Sequence, residues 1–431
     1  MGSTARPCAA WTIEGEVNFR QAEDYLLSLE LFGMRFGLDR MHRLMTVLGL
    51  PQRRFASVHV VGTNGKSSTV RFCAAILERH GLRSGSYTSP HLRSFRERIE
   101  VAEQPVSEAG FAAAVTRAAA AAEMVNRTAE KDNQVTQFEA LTAAAYHELA
   151  RRGVEVAVIE AGLGGRFDAT NVIPSKVQVL TSVGLEHTRW LGPTVKDIAE
   201  EKLAVVRDQG TLVTGELEPE TRTVAERIAR ERHARLVTAR EGPEHRVALR
   251  ASGHFQRENF AIAAAAAEAF LGRALDARAV EAAAAATLVP GRAEIVADHP
   301  LTVYDGAHNP AGAHVMAESL EELLGSRRPR VAVIGVLEDK DAAGMLAELL
   351  PHFDRIVFTR SQNPRSLSPG TLASLAEKLG CPPAEIVADP QGAVERARTL
   401  AGPDGAVLAT GSIYLIADLV REGVDARASM L

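Results

Sequence analysis

Hydrophobic positions fall into two alternating patterns along the chain. Unbroken runs rich in Val and Ile, bounded by Gly, Pro or charge, occupy residues 57–61, 154–160, 177–183, 210–214, 301–304, 330–336, 355–359 and 405–409. Runs of that length and composition predict strands buried on both faces. Between them, over residues 111–126, 138–151 and 221–232, apolar side chains recur at the helical period of 3.6. Residues 259–272 and 277–287 are so rich in Ala that propensity alone predicts helices, and their small side chains suit close packing rather than chemistry. Strand–helix alternation of this kind predicts an α/β protein with mainly parallel sheets and helices on both faces.

The alternation is interrupted once. Leu288-Val-Pro-Gly-Arg292 is a Pro-Gly punctuation after the Ala-rich helices, and the strand pattern restarts beyond it. We expect a domain of residues 1–288 followed by a smaller one of residues 289–431, a division that suits a chain of 431 residues. No internal repeat is visible. Only the two termini lack a pattern expected of ordered structure.

Composition narrows the possibilities. With 46% hydrophobic and 24% charged residues the chain can bury a substantial core. A net charge of −5 points to neither nucleic acid nor an anionic membrane as a partner. Cys8, Cys73 and Cys381 are too far apart for a thiolate zinc motif or a disulfide framework, which fits a reducing cytoplasm. Cys73 reads as a small buried hydrophobe. The N-terminus has no apolar signal core, Arg6 breaks the myristoylation pattern, and no run approaches the ~18 apolar residues of a membrane helix.

Candidate chemistry begins at residues 58–69, VHVVGTNGKSST, where a strand pattern meets a glycine turn and then a helical pattern. The standard phosphate loop reads G-x-x-x-x-G-K-[ST], and here Val60 stands where its first glycine belongs. A turn through Gly62, Thr63, Asn64 and Gly65 would still aim backbone N–H groups and the positive end of a helix at phosphate oxygens. Lys66 would reach the outer phosphates and Ser67 would lie near Mg²⁺. The bland alternative is a βα turn that merely needs glycine. Downstream, Glu160 ends a strand and opens the loop EAGLGGRFDATN, a good position for a Mg²⁺ ligand. As a dinucleotide fingerprint that loop fails, because Phe167 occupies the third glycine position. A solvent-exposed strand-end Glu is the bland reading. His187 follows the strand at 177–183, where a lone His is more often structural. Tyr304-Asp305-Gly-Ala-His308-Asn309-Pro310 reads by itself as an Asx turn and helix cap. Arg292 reads as a surface arginine, TSPHL at 88–92 as a loop after a further strand, and the charged run at 227–232 as a solvated helix face.

Taken together and in order, these segments resemble the folylpolyglutamate synthase/dihydrofolate synthase family, ATP-dependent amide ligases related to the Mur peptidoglycan ligases. The resemblance runs from FGMRFGLDR at 32–40 through GTNGKSS, TSPHL, EAGLGGRFDATN, EHTRWLG and PGR to DGAHNP, VLEDKD and TGSIYLIADL, nearly the whole chain. It implies a P-loop ATP-binding domain and a Rossmann-like domain with the active site in the cleft between them. The family's short loop accounts for Val60. By motif, Gly62, Thr63, Asn64, Gly65, Lys66, Ser67, Ser68, Asn259, Arg292 and Asp305 would contact ATP. Ser67, Ser89, Glu160 and His187 would hold Mg²⁺, as two ions, with Lys202 joining them once carbamylated. A monovalent cation is also allowed. Lys66, Lys202, His187 and His308 would serve the chemistry, with Asn309 in the same cleft. Thr136, Gln137, Phe138, Glu139, Phe167, Asp168 and Ala169 would hold the pterin.

The implied reaction activates a pteroate or folate carboxylate as an acyl phosphate, and the amine of L-glutamate then displaces phosphate. Phe167-Asp168-Ala169 favours a bifunctional enzyme. The resemblance further implies a cytoplasmic monomer acting on dihydropteroate or a reduced folate, L-glutamate and ATP. The chain departs from the family pattern at Leu203-Ala204-Val205 after Lys202, at Glu186 where many relatives have Asp, and at Asn363-Pro-Arg365-Ser366. None of these removes a reacting group. Two other readings stand beside this one. A Mur-type ligase acting on a cell-wall nucleotide would need a UDP-binding domain, which the short segment before residue 57 does not resemble. A regulatory protein that binds ATP without ligation would not need the set Glu160, His187, Lys202 and Asp305.

Overall fold

A computed structural model describes residues 17–30, 37–130, 133–240 and 247–421. Cys8, the patternless termini and the first part of the FGMRFGLDR segment lie outside the described residues. Two sheets organise the rest. The first contains β1 (Ala56–Val61), β2 (Ser84–Tyr87), β3 (Ile99–Val101), β4 (Gln104–Pro105), β5 (Val156–Glu160), β6 (Val177–Leu180), β7 (Thr211–Thr214) and β8 (Arg235–Thr238). Its spatial order is β4-β3-β2-β5-β1-β6-β7-β8. The second contains β9 (Glu294–Asp298), β10 (Leu301–Tyr304), β11 (Arg330–Ile334), β12 (Arg355–Phe358), β13 (Ala384–Ile386) and β14 (Ala406–Thr410), in the order β13-β12-β11-β14-β10-β9. Pairing is parallel except for β2 with β3, β3 with β4 and β9 with β10. The mainly parallel α/β architecture expected from the pattern is therefore the one observed.

β5 shows why its run lacks polar alternation. Ala157 and Ile159 enter a core with Tyr87, Phe111 and Tyr146, while Val156 and Val158 enter another with Phe72, Cys73 and Phe260. Both faces are covered, so each residue gains by being apolar, by about 1.5–3 kcal/mol for a fully buried Val or Ile. β11 repeats the logic: Ala332 and Ile334 face one core, Val331 and Val333 the other. The Ala-rich helix His254–Leu271 lies against helix Lys66–Arg79, with Phe260 edge-on to Phe72 at 5.3 Å. Its small residues permit that approach.

Boundaries moved where loops begin or caps act. The run at 177–183 leaves the sheet at Leu180, because residues 181–183 bend over the neighbouring loop. The helix expected from 259 starts at His254. The short strands β3, β4, β8, β9 and β13 are not marked by pattern. β3 is buried but only three residues long, the others are partly exposed and mixed in composition, and all lie at or beside a sheet edge. Among the described residues no helix is long and apolar enough to cross a membrane.

The register places the site. β1 lies between β5 and β6, with Val60 opposite both Glu160 and Val179. In the second sheet β14 lies between β11 and β10. Residues just past the C-terminal ends of these strands, among them Gly62, Gly162, Thr181, Asp305, Leu337 and Ser412, line one cleft. That is where open α/β sheets bind ligands.

Candidate active site

After β1 the chain turns through Gly62 and Gly65 into helix Lys66–Arg79. Gly65 has φ +83°, and a Cβ there would lie 2.3 Å from Asn259 Oδ1. A Cβ on Gly62 would lie 1.9 Å from Thr181 Oγ1. The turn thus tolerates only glycine at both places. No side chain caps the helix, so its first N–H groups are left for a bound anion. β6 fixes the loop: Thr63 N–H donates to the Ser182 carbonyl (2.8 Å), Asn64 N–H to Ser182 Oγ (3.0 Å) and Thr181 Oγ1 to the Asn64 carbonyl (2.6 Å). Lys66 Nζ donates to the carbonyls of Gly62 and Thr63, each at 3.0 Å.

Glu160 is buried above this loop. Its Oε1 accepts from Ser67 Oγ at 3.0 Å and its Oε2 from Ser89 N–H at 3.2 Å. Burial pushes its carboxyl above the ordinary range, opposed by Lys66 and the Ser67 hydrogen bond. Lys202 is buried as well and donates to the Gly62 carbonyl at 2.8 Å. Burial, with the nearby Lys66 charge, lowers its amine to about 7. His187, at φ +52°, is lowered to about 4, chiefly by burial.

From the second sheet, Asp305 is buried with Oδ1 accepting from Ala307 N–H (2.7 Å) and Oδ2 from Ala293 N–H (2.9 Å), and burial raises its carboxyl. Gly306 lets Arg292 pass, since a Cβ there would meet Nη1 at 2.1 Å. His308 has acceptors at both ring nitrogens: the Gly306 carbonyl 2.9 Å from Nδ1 and Glu186 Oε1 3.1 Å from Nε2. Glu186 also holds Lys340 at 2.8 Å. Burial alone would raise the Glu186 carboxyl, but the hydrogen bond and charge of His308, with Lys340, hold it far below the usual range. Asn64 and Asn309 exchange side-chain hydrogen bonds, both 3.1 Å.

The cleft has a volume of about 920 Å³ and takes in Phe138, Phe167, Ala169, Thr136 and Glu139 beside the loop. Glu139 pairs with Arg40 at 3.0 Å and closes a capping box on Thr136. Asp168 is buried, its oxygens taken by Leu163 N–H and by Thr170, so it shapes the glycine-rich loop from within. Ser68, Asn259, Arg292, Asp305 and His308 are on the wall of the same cleft as Lys66 and Lys202. Gln137 is not: it is buried and donates to the Leu26 carbonyl at 2.8 Å. Lys340 and Ser182 were not singled out from sequence. Ser182 could have been, since it follows a strand next to β1.

Residues 291–413 match the family described as Mur ligase, glutamate ligase domain. A Bacillus subtilis protein named dihydrofolate synthase/folylpolyglutamate synthase is 33% identical over 429 residues, covering 93% of this chain and 98% of the relative. The chain belongs to the dihydrofolate synthase/folylpolyglutamate synthase family. It is a ligase of that class. An Escherichia coli member is 32% identical over 441 residues, covering 99% of this chain and 97% of its own. Among solved structures, Mycobacterium tuberculosis folylpolyglutamate synthase complexed with ADP superposes with a TM-score of 0.86 at 31% identity, covering 93% of this chain and 97% of that one. The Escherichia coli enzyme in complex with DHPP and ADP gives 0.82 at 29%, covering 93% and 96%.

A Mg²⁺ site can be tested against the side chains. Among the described residues no group of three or more His, Cys, Asp or Glu gathers as a metal cage. Mg²⁺ does not need one: it binds one or two carboxylates and completes its shell with phosphate and water. Glu160 with Ser67, beside a phosphate loop, offers the hard oxygen donors that such an ion takes.

Proposed function

We propose that the protein is a bifunctional dihydrofolate synthase and folylpolyglutamate synthase that uses ATP to join L-glutamate to a pteroate or folate carboxylate. One observation carries this reading: the phosphate loop, buried Glu160 and Lys202, and the second-sheet groups Arg292, Asp305 and His308 share a cleft with Phe138 and Phe167. The relatives from Mycobacterium tuberculosis, Bacillus subtilis and Escherichia coli bear both activities in their names, which supports bifunctionality. We take residues 1–288 and 289–431 as its two domains, acting as a cytoplasmic monomer on small molecules without nucleic acid or membrane.

In the first step a carboxylate oxygen attacks the γ-phosphorus of ATP and ADP leaves. Two anions must meet, so Lys66, Arg292 and the uncapped helix N–H groups screen the charge. Glu160, Ser67, Ser89 and His187 would hold two Mg²⁺ ions, with a monovalent cation allowed; bound metal supplies further charge neutralisation. Lys202, with an amine lowered to about 7, has a substantial neutral fraction near neutrality. Its nitrogen can therefore add to CO₂, lose a proton and present a carbamate. In the second step the glutamate amine attacks the acyl carbon and phosphate departs. Phe138, Phe167 and Ala169 offer apolar surface for a pterin, and Thr136 and Glu139 offer polar atoms beside it.

ADP release followed in parallel with dihydropteroate and with tetrahydrofolate, each with and without L-glutamate, tests the proposal. Glutamate-dependent ADP release is expected with both acceptors and is lost in Lys66→Ala. Release with one acceptor only would remove the bifunctional claim, and release with neither would remove the ligase substrate assignment.

A further inference from the structure

A single carboxylate oxygen ties the two sheets together. Glu186 sits on the loop beyond β6, and its Oε1 lies 2.8 Å from Lys340 Nζ beyond β11 and 3.1 Å from His308 Nε2 beyond β10. His187 Nε2, from Glu186's own loop, is 3.8 Å from that oxygen. The Glu186 and Lys340 side chains are each only 10% exposed, so the pair is largely withdrawn from water, where losing one partner costs far more than at a surface. Lys340 has another carboxylate near it, Asp339, but at 3.9 Å and on its own loop. Glu186 thus carries Lys340 and His308, from two loops of the second sheet, on a loop of the first.

We propose that Glu186 is a positioning residue: by holding Lys340 and His308 across the cleft it keeps the second sheet over the phosphate loop while the acyl phosphate exists. This rests on the ligase reading above. An acyl phosphate has two fates. The glutamate amine can attack the acyl carbon, forming the amide as phosphate leaves. Alternatively a water oxygen attacks the same carbon, the carbon–oxygen bond to phosphate breaks, a proton is released, and the starting carboxylate returns with ATP spent. A cleft held shut favours the first by excluding water. Glu186 contributes by where it puts its partners and does not itself react.

The readout is the ratio of ADP released to glutamate adduct formed, measured on the full chain for wild type, Glu186→Gln, Lys340→Met, the double variant and Glu186→Asp. Wild type is expected at a ratio near one. Glu186→Gln keeps the shape but loses the charge, and Lys340→Met loses the partner; each is expected to raise the ratio at least about threefold. The double variant is expected to match the larger single effect, because the ion pair that Lys340→Met breaks is already broken in Glu186→Gln. Glu186→Asp, still a carboxylate, is expected to return toward one. Partial misfolding lowers ADP and adduct together and does not move the ratio. A ratio that stays near one in both single variants overturns the proposal whatever happens to the rate, and so do effects that multiply in the double variant. Absence of any glutamate-dependent adduct in the wild type would instead sink the ligase reading on which the proposal stands.

Discussion

At the scale of single residues, Lys202 shows how burial prepares an amine. A lysine in water is charged at neutral pH. Burial and the neighbouring Lys66 charge lower Lys202 to about 7, so the neutral, CO₂-reactive form grows as pH rises through that value. Lys202→Ala should lose activity by roughly 100-fold, with partial rescue by acetate or formate. With ¹³CO₂ the wild type should show a carbamate carbonyl signal by NMR that strengthens from pH 6 to pH 8 and is absent from the variant; its absence from active wild type would refute carbamylation. The lysine was legible in sequence because its local motif resembles a family pattern. The contact of Glu186 with Lys340 was not. They are 154 residues apart, and nothing in the spacing of either announces a partner that only the meeting of two sheets supplies.

At the scale of elements, the central strands were legible and the marginal ones were not, for one physical reason. β1, β5, β11 and β14 are covered on both faces and are therefore mainly apolar, whereas β9 and β13 leave Ile295, Val296 and Ile386 partly in solvent and tolerate charges between them. β1 carries two buried polar residues against that rule, Ser57 and His59. His59 is buried, its Nε2 lies 2.8 Å from Thr170 Oγ1, and Nδ1 has no partner. Thr170 in turn donates to Asp168, so Nε2 carries the proton and the chain of bonds ties β1 to the glycine-rich loop. Protonating His59 would bury an Nδ1–H without an acceptor. Burial first, and the Arg207 charge second, lower it to about 3. The unfolded chain then binds the extra proton at any pH between about 3 and the ordinary value of about 6.5, so stability falls as pH drops through that window. Urea unfolding should show wild type losing about 1–2 kcal/mol more than His59→Gln between pH 7 and pH 5. Equal losses in the two would show that His59 is not the titrating group.

At the scale of the whole molecule, the proposed function needs loops of both sheets to meet, and Asn309 joins them at a helix start. Its Oδ1 accepts from Gly312 N–H at 2.8 Å, capping helix Pro310–Leu324, and from Asn64 Nδ2 at 3.1 Å. Its own Nδ2 donates back to Asn64 Oδ1 at 3.1 Å. One side chain thus performs two separable tasks: an acceptor for the helix and a donor to the phosphate loop. Asn309→Asp keeps the acceptor and, with its negative charge at a helix N-terminus, should leave thermal stability within about 0.5 kcal/mol of wild type. It loses the donor and sets a carboxylate against the Asn64 amide oxygen and near incoming phosphates, so KM for ATP should rise about tenfold or more. Asn309→Ala loses both tasks and should cost about 1 kcal/mol of stability as well. Thermal denaturation beside ATP-dependent ADP release separates the two effects. If Asn309→Asp destabilises the protein as much as Asn309→Ala while leaving KM unchanged, the amide pair does not link the phosphate loop to the second sheet, and the cap is not what Oδ1 provides.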